Sequence, residues 1–154
     1  MNRIAAALCT VLCLSLAAPA QSTSSNAAKV ARGKYLVNQA GQCQDCHTPR
    51  NEKGEFIKEK WLQGSPLAFQ PVVEMPWIGT APPIAGLDGW TDQQAITFLT
   101  TGVRKDGTRP KPPMPEYRFN KEDAAAIASY LRSLKQSSAS RDSVNLPKKS
   151  SGDK

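Results

Sequence analysis

The stretch Cys43-Gln44-Asp45-Cys46-His47 decides how this chain of 154 residues is read. Two thiols stand three positions apart, and an imidazole follows the second directly. On one turn of helix that spacing puts both sulfurs on the same face, with the ring beside them. His47 is the only histidine in the chain, which excludes a His-rich metal cage and any paired-imidazole centre. A zinc site here would have two Cys and one His and would need a carboxylate or water as its fourth ligand, a rare set for a structural site. A redox-active dithiol of the thioredoxin kind needs a βαβ setting, and no strand alternation surrounds the motif. A plain disulfide leaves the neighbouring histidine without a role.

One chemistry uses all three side chains. In covalent haem attachment, Cys43 and Cys46 add to the two vinyl groups on one edge of a porphyrin, and His47 projects under the iron as the proximal ligand. Composition agrees. Met1 to Ala20 hold 15 of the chain's 61 apolar residues, which leaves 46 of 134, about a third, for everything after them. With aromatic residues at 6%, a large apolar cofactor is expected to supply part of the interior that side chains do not.

The opening twenty residues read as a secretory signal peptide. Arg3 is a short basic start, Ile4 to Ala18 is apolar apart from Thr10 and Ser15, and Ala18-Pro19-Ala20 is an A-x-A cleavage signature. The run is short for a bilayer span, which takes about 20 apolar residues. An uncleaved, membrane-tethering signal is the alternative. With the signal go Cys9 and Cys13, so the mature chain keeps only Cys43 and Cys46, and its net charge falls from +7 to +6. The expected location is the periplasm, where disulfides are permitted, with no transmembrane segment once the signal is cleaved.

Outward from the motif, the expected order is a polar lead-in, Gln21 to Asn26, then a helix over Ala27 to Ala40 with Val30, Ala31, Tyr35 and Leu36 on one face, stopped by Gly41. Five prolines between Pro66 and Pro83 rule out helix or strand there, yet Leu67, Phe69, Val72, Val73, Trp77 and Ile78 are too apolar for a free linker. An ordered loop wrapped over something hydrophobic is expected. Thr91-Asp92-Gln93-Gln94 resembles a capping box and opens a short helix to about Thr100, with Ala95, Ile96, Phe98 and Leu99 inward and Gly102 after it. Arg104 to Pro115 is a Pro-rich basic loop. Asn120 caps a last helix whose stripe is Ile127, Tyr130, Leu131 and Leu134. The division expected is signal peptide 1–20, one domain 21–136, and a disordered polar tail over 137–154.

With no second histidine, the other axial position calls for a different residue type. The mature methionines are Met75 and Met114, each followed by a proline. Residue types alone leave both open, and at least one of them is a soft core filler.

Beyond the motif, the chain resembles a known family. Gly33-x-Tyr35-Leu36 and Gly41-x-Cys43-x-x-Cys46-His47-Thr48 resemble the start of a class I cytochrome c domain. Gly89-Trp90-Thr91-Asp92, Gly102-Val103-Arg104-Lys105-Asp106-Gly107, Pro113-Met114-Pro115 and Tyr130-Leu131-Arg132-Ser133-Leu134 are similar to the cytochrome c domains in cytochrome subunits of bacterial membrane-bound alcohol and aldehyde dehydrogenases. The resemblance covers about Val30 to Leu134. Such subunits often carry three haem domains, whereas one motif here implies one covalent haem c. It implies an all-α cytochrome c fold of three to four helices with long Pro-rich loops around the haem, Met114 as the distal iron ligand, and first and last helices that cross closely at Gly33 near Tyr130. Pro49, just after His47-Thr48, departs from the pattern and leaves open which carbonyl orients His47.

A His/Met-ligated iron has no open position for substrate, so the expected function is one-electron transfer between redox proteins, not catalysis. Expected partners are a dehydrogenase or respiratory complex and a terminal oxidase or reductase. A cytochrome subunit stably bound to a periplasmic dehydrogenase is one alternative. A haem sensor or enzyme with a labile sixth ligand is another, though the chain offers no distal His for peroxide cleavage. Arg104, Lys105, Arg109 and Lys111, clustered before Met114, suit an acidic redox partner, or serve solubility and balance the haem propionates. Nucleic acid is not an expected partner.

Overall fold

The structure is a computed structural model that describes residues 21–144. The expected signal peptide, with Cys9 and Cys13, lies outside the described residues, as do residues 145–154. Helices α1 (Gln21–Tyr35), α2 (Gln44–His47), α3 (Asp92–Thr101) and α4 (Lys121–Val144) carry the architecture. A two-residue antiparallel pair, β1 (Ser65–Pro66) with β2 (Thr80–Ala81), closes the long loop between α2 and α3. This is the all-α fold expected.

The frame is the crossing of α1 on α4. Gly33 is buried at the contact, and a Cβ there would collide with the Ala126 carbonyl and come within 2.8 Å of Tyr130 Cβ. Only a glycine lets the two backbones approach so closely. The buried residues of α4 are Ala124, Ala126 and Ala128, each at most 3% exposed, with Ile127, Tyr130 and Leu131. Arg32 adds a two-pronged pair to Asp123, at 2.8 and 3.1 Å. That guanidinium holds the Asp123 carboxyl below the usual carboxylate range.

The inward face of α1 differs from the one expected. Ala31 and Tyr35 are exposed, while Val30, Gly33, Leu36 and Val37 turn inward. After Tyr35 the helix loosens into a π-helical turn, Leu36–Ala40, which Gly41 ends by donating to the Leu36 carbonyl at 2.7 Å. Val30, Gly33, Leu36 and Val37 keep ordinary helical spacing, so the buried stripe runs through Gly33 rather than through Ala31 and Tyr35. Two other expectations also change. The Gln21 to Asn26 lead-in is part of α1, and α4 continues to Val144, past Ser137 where a tail was expected. No Gly or Pro interrupts residues 121–144, and extending an anchored helix costs little once it is nucleated.

Both later helices begin as the sequence predicts. Thr91 and Gln94 form the reciprocal capping box of α3, and Gly102, at φ +70, ends it. Asn120 Oδ1 accepts from the Asp123 amide at 2.8 Å at the start of α4. Arg132 ties the two helices together: it donates to Asp92 Oδ1 at 2.9 Å and to the carbonyls of Gly86, Leu87 and Trp90. Among the described residues no helix is long and apolar enough to cross a membrane.

Candidate functional site

The motif sits on a single helical turn hung from the frame. The Cys43 amide donates to the Val37 carbonyl at 2.9 Å, and His47 N closes the turn on the Cys43 carbonyl at 3.0 Å. The buried Gln44 side chain donates to the Asn38 carbonyl, and Asn38 Nδ2 donates in turn to Tyr130 Oη at 3.3 Å. The orientation of α2 is therefore fixed by the π-helical turn and by α4.

Cys43 and Cys46 are free thiols, both partly buried. Burial pushes the Cys43 thiol up to about 11 and raises Cys46 as well. Each therefore stays an S–H group at neutral pH, the opposite of the depressed thiolate a redox-active dithiol needs. Among the described residues no group of three or more His, Cys, Asp or Glu side chains could hold a metal ion, so the zinc reading has no donor set.

His47 is 6% exposed, and its Nδ1 lies 2.6 Å from the Pro82 carbonyl. A carbonyl only accepts, so Nδ1 carries the proton and Nε2 keeps its lone pair. Burial lowers the pKa of the ring, and the bond to Pro82 opposes that shift in part. The side chain is thus a neutral imidazole with one nitrogen anchored and the other ready to ligate. Pro82 answers the question left open by Pro49, whose own carbonyl is taken by the Ile57 amide. The only trace of this in the sequence was the Pro82-Pro83 pair, which gives no hint that it reaches His47.

The two methionines lie in different settings. Met75 is 42% exposed. Met114 is half-buried in a turn where its amide donates to the Lys111 carbonyl at 3.3 Å. That turn is tied to the other loop, because Ile78 N donates to the Pro112 carbonyl at 3.0 Å. The five residues from Ile78 to Pro82 thus link the Met114 turn to the acceptor of His47.

The long loop meets its expectation in part. Leu67, Trp77 and Ile78 are half-buried, but Phe69, Val72, Val73 and Met75 are exposed, Val72 completely. They do not pack on the protein's own core. The basic cluster is also narrower than its sequence suggests. Arg109 pairs with Glu116 at 2.6 Å, and Lys105 donates to the Gly89 carbonyl at 2.8 Å beside the Trp90 ring. Lys111 is exposed, and Arg104 is half-buried beside Asp106.

These residues fit a covalent haem. Two protonated thiols and one anchored imidazole on a single turn are the donor set such a group requires. Trp77 Nε1 is buried and has no hydrogen-bond partner. A buried N–H without an acceptor is costly, and a propionate carboxylate would satisfy it. Sequence reading treated Trp77 only as apolar and overlooked that donor. It also overlooked Tyr117, whose hydroxyl donates to the Gly41 carbonyl at 2.8 Å, next to Cys43.

Comparison with known proteins agrees. A family model described as Cytochrome c matches residues 30–135. A "Diheme cytochrome c-type" protein of Cereibacter sphaeroides is 36% identical over 108 residues, covering 66% of this chain and 34% of its own length. The "Fructose dehydrogenase cytochrome subunit" of Gluconobacter japonicus is 32% identical over 119 residues, 73% of this chain and 24% of that protein. The "Alcohol dehydrogenase (quinone), cytochrome c subunit" of Gluconacetobacter polyoxogenes is 34% identical over 119 residues, 69% of this chain and 24% of that protein. The match therefore spans only 24% to 34% of the length of these relatives. Since the matched segment runs from the first helix through the Cys-Cys-His turn to the last, the chain belongs to the cytochrome c family.

Proposed function

We propose that this protein binds one haem c through thioethers at Cys43 and Cys46, holds its iron between His47 and Met114, and passes single electrons between redox proteins. The observation that carries this is the 2.6 Å contact of His47 Nδ1 with the Pro82 carbonyl, which leaves Nε2 free to ligate from the same helical turn that presents both thiols. When bound, the group supplies an iron centre that changes by one electron.

The chain's own residues do the rest. Cys43 and Cys46 fix the cofactor to α2. Pro82 orients the imidazole and raises its donor strength. The Lys111–Pro115 turn offers the Met114 thioether, a weak donor that favours the reduced state and so a raised potential. Half-buried Trp77 and Ile78 exclude water beside that turn. With His47 and Met114 both holding it, the group would keep no open position for a substrate, and the protein would act as a carrier.

The test is an absorption spectrum in both oxidation states, with carbon monoxide added to the reduced protein. Wild type is expected to be low-spin and unreactive, Met114→Ala to bind carbon monoxide, and Met75→Ala to match wild type. Carbon monoxide binding by wild type would point instead to a sensor or enzyme with a labile sixth position. An unchanged Met114→Ala spectrum would refute the distal assignment.

A second reading is supported by the relatives named as dehydrogenase cytochrome subunits: stable association with a periplasmic dehydrogenase, with a terminal oxidase or reductase as acceptor. Co-purification of a dehydrogenase with the tagged protein tests it. Periplasmic location through the 1–20 signal belongs to the same proposal, and N-terminal sequencing of the secreted protein checks it.

A further inference from the structure

The acceptor that orients His47 is itself held by a circuit of hydrogen bonds that returns to the next residue in the chain. Thr48 is 1% exposed, and its Oγ1 accepts from the Leu62 amide at 2.9 Å. Leu62 is fully buried at φ +57, a left-handed conformation that a leucine keeps only where its surroundings impose it. Its carbonyl accepts two amides, Ile84 at 2.9 Å and Ala85 at 3.1 Å. Pro82 lies two residues before Ile84. On the other side, Gly64 N donates to the His47 carbonyl at 2.8 Å. A Cβ at Gly64 would come within 2.9 Å of both the Ala81 carbonyl oxygen and the Pro83 nitrogen, so residues 62–64 pack backbone to backbone against the Pro82-Pro83 pair.

Proline has no N–H, so Pro82 and Pro83 cannot fasten their own loop through amides. The first amides after them, on Ile84 and Ala85, do so, and both end on Leu62. Leu62 in turn depends on Thr48, because without that hydroxyl its buried amide has no partner and the strained backbone has less to hold it.

We infer that Thr48 is a positioning residue for His47: through Leu62 and the Ile84–Ala85 amides it fixes the Pro82 carbonyl that orients the imidazole. This rests on the reading of His47 as the proximal iron ligand. A firmly held acceptor strengthens Nε2 as a donor, and a stronger donor favours ferric iron. Loosening the circuit therefore raises the reduction potential.

The experiment compares wild type, Thr48→Val and Thr48→Ser as holoproteins. It reads midpoint potential, the ferric haem-methyl proton shifts that report the imidazole plane, exchange of the His47 Nδ1 proton, and thioether count by mass. Thr48→Val is expected to keep both thioethers, shift the potential upward, alter the methyl pattern and speed Nδ1 exchange about tenfold, the worth of one buried hydrogen bond. Thr48→Ser, which keeps the hydroxyl, returns all three toward wild type. A Thr48→Val protein with the wild-type potential and methyl pattern overturns the inference. Should that variant fail to load haem, exchange in wild type decides: the Leu62 amide and the His47 Nδ1 proton must open with the same free energy, and independent opening overturns the inference. A wild-type protein without a His-ligated spectrum would sink the proposed function as well. An intact wild-type spectrum with an uncoupled circuit sinks this inference alone.

Discussion

The α1–α4 crossing and the two Pro-rich loops hold their residues by different means. At the crossing, contact is by close packing with no hydrogen bond between the touching backbones: Gly33 lies on the Ala126 carbonyl beside Tyr130 Cβ, with no room for another carbon. In the loops the contacts that matter are hydrogen bonds to backbone groups, as in the Ile78 amide to the Pro112 carbonyl, His47 Nδ1 to the Pro82 carbonyl and the Leu62 amide to Thr48 Oγ1, while many loop side chains face solvent. A close-packed crossing is sensitive to volume. A loop held by its amides is sensitive to partners and tolerant of side-chain size. The frame should therefore govern whether the chain folds, and the loops how the axial ligands are set.

The hardest blow to that distinction is a methyl group at the crossing. Gly33→Ala should cost about 3 kcal/mol or more, at the upper end for overpacking, because the obstacle is backbone that cannot rotate away. Urea denaturation measures it, and a loss below about 1 kcal/mol would mean the helices sit further apart.

Next is Arg132, whose guanidinium reaches three carbonyls and Asp92. Arg132→Met keeps the stem and strands those acceptors, and should cost about 2 kcal/mol, in the range of bonds to charged groups. Because it joins α3 and α4, the loss should appear as a lower melting temperature with an unchanged visible spectrum.

A smaller, pH-dependent effect belongs to Asp123, whose pairing with Arg32 lowers its folded-state pKa. A depressed carboxylate adds stability above its unfolded value, about 3.9, and loses it as pH falls through the lower folded one. Wild type and Asp123→Asn should therefore differ at neutral pH and converge below about pH 4. Urea midpoints at several pH values read this, and added salt should shrink the gap.

The least effect is expected in the loop. Val72→Ser at a fully exposed position should change stability by less than about 0.5 kcal/mol. A larger loss in the holoprotein would show that Val72 packs on something, and would move that part of the loop from the second class of contact toward the first.

Legibility in the sequence divides along the same line. The caps of α3 and α4 were readable because a capping box and an Asn N-cap act within three residues. The α4 stripe was readable because 3.6-residue periodicity is local. The α1 face centres on Gly33, which has no apolar side chain to mark it, so apolar periodicity alone points to Ala31 and Tyr35. The polar composition after Gln136 suggests disorder, but helix propensity and an anchored start carry α4 to Val144. In the basic cluster, the pairing of Arg109 with Glu116 depends on how the loop folds back and is not marked in the sequence.

For the site, the sequence by itself determined which atoms can do the chemistry. Two thiols and one imidazole within five residues, and only two methionines after residue 20, are matters of composition and spacing, and no fold can add to them. Only the tertiary structure decided how the imidazole is held. Its acceptor comes from Pro82, 35 residues away, by way of a carbonyl that every residue possesses and no sequence pattern marks. Backbone carbonyls look alike along the chain, and the fold alone selects the one that faces His47.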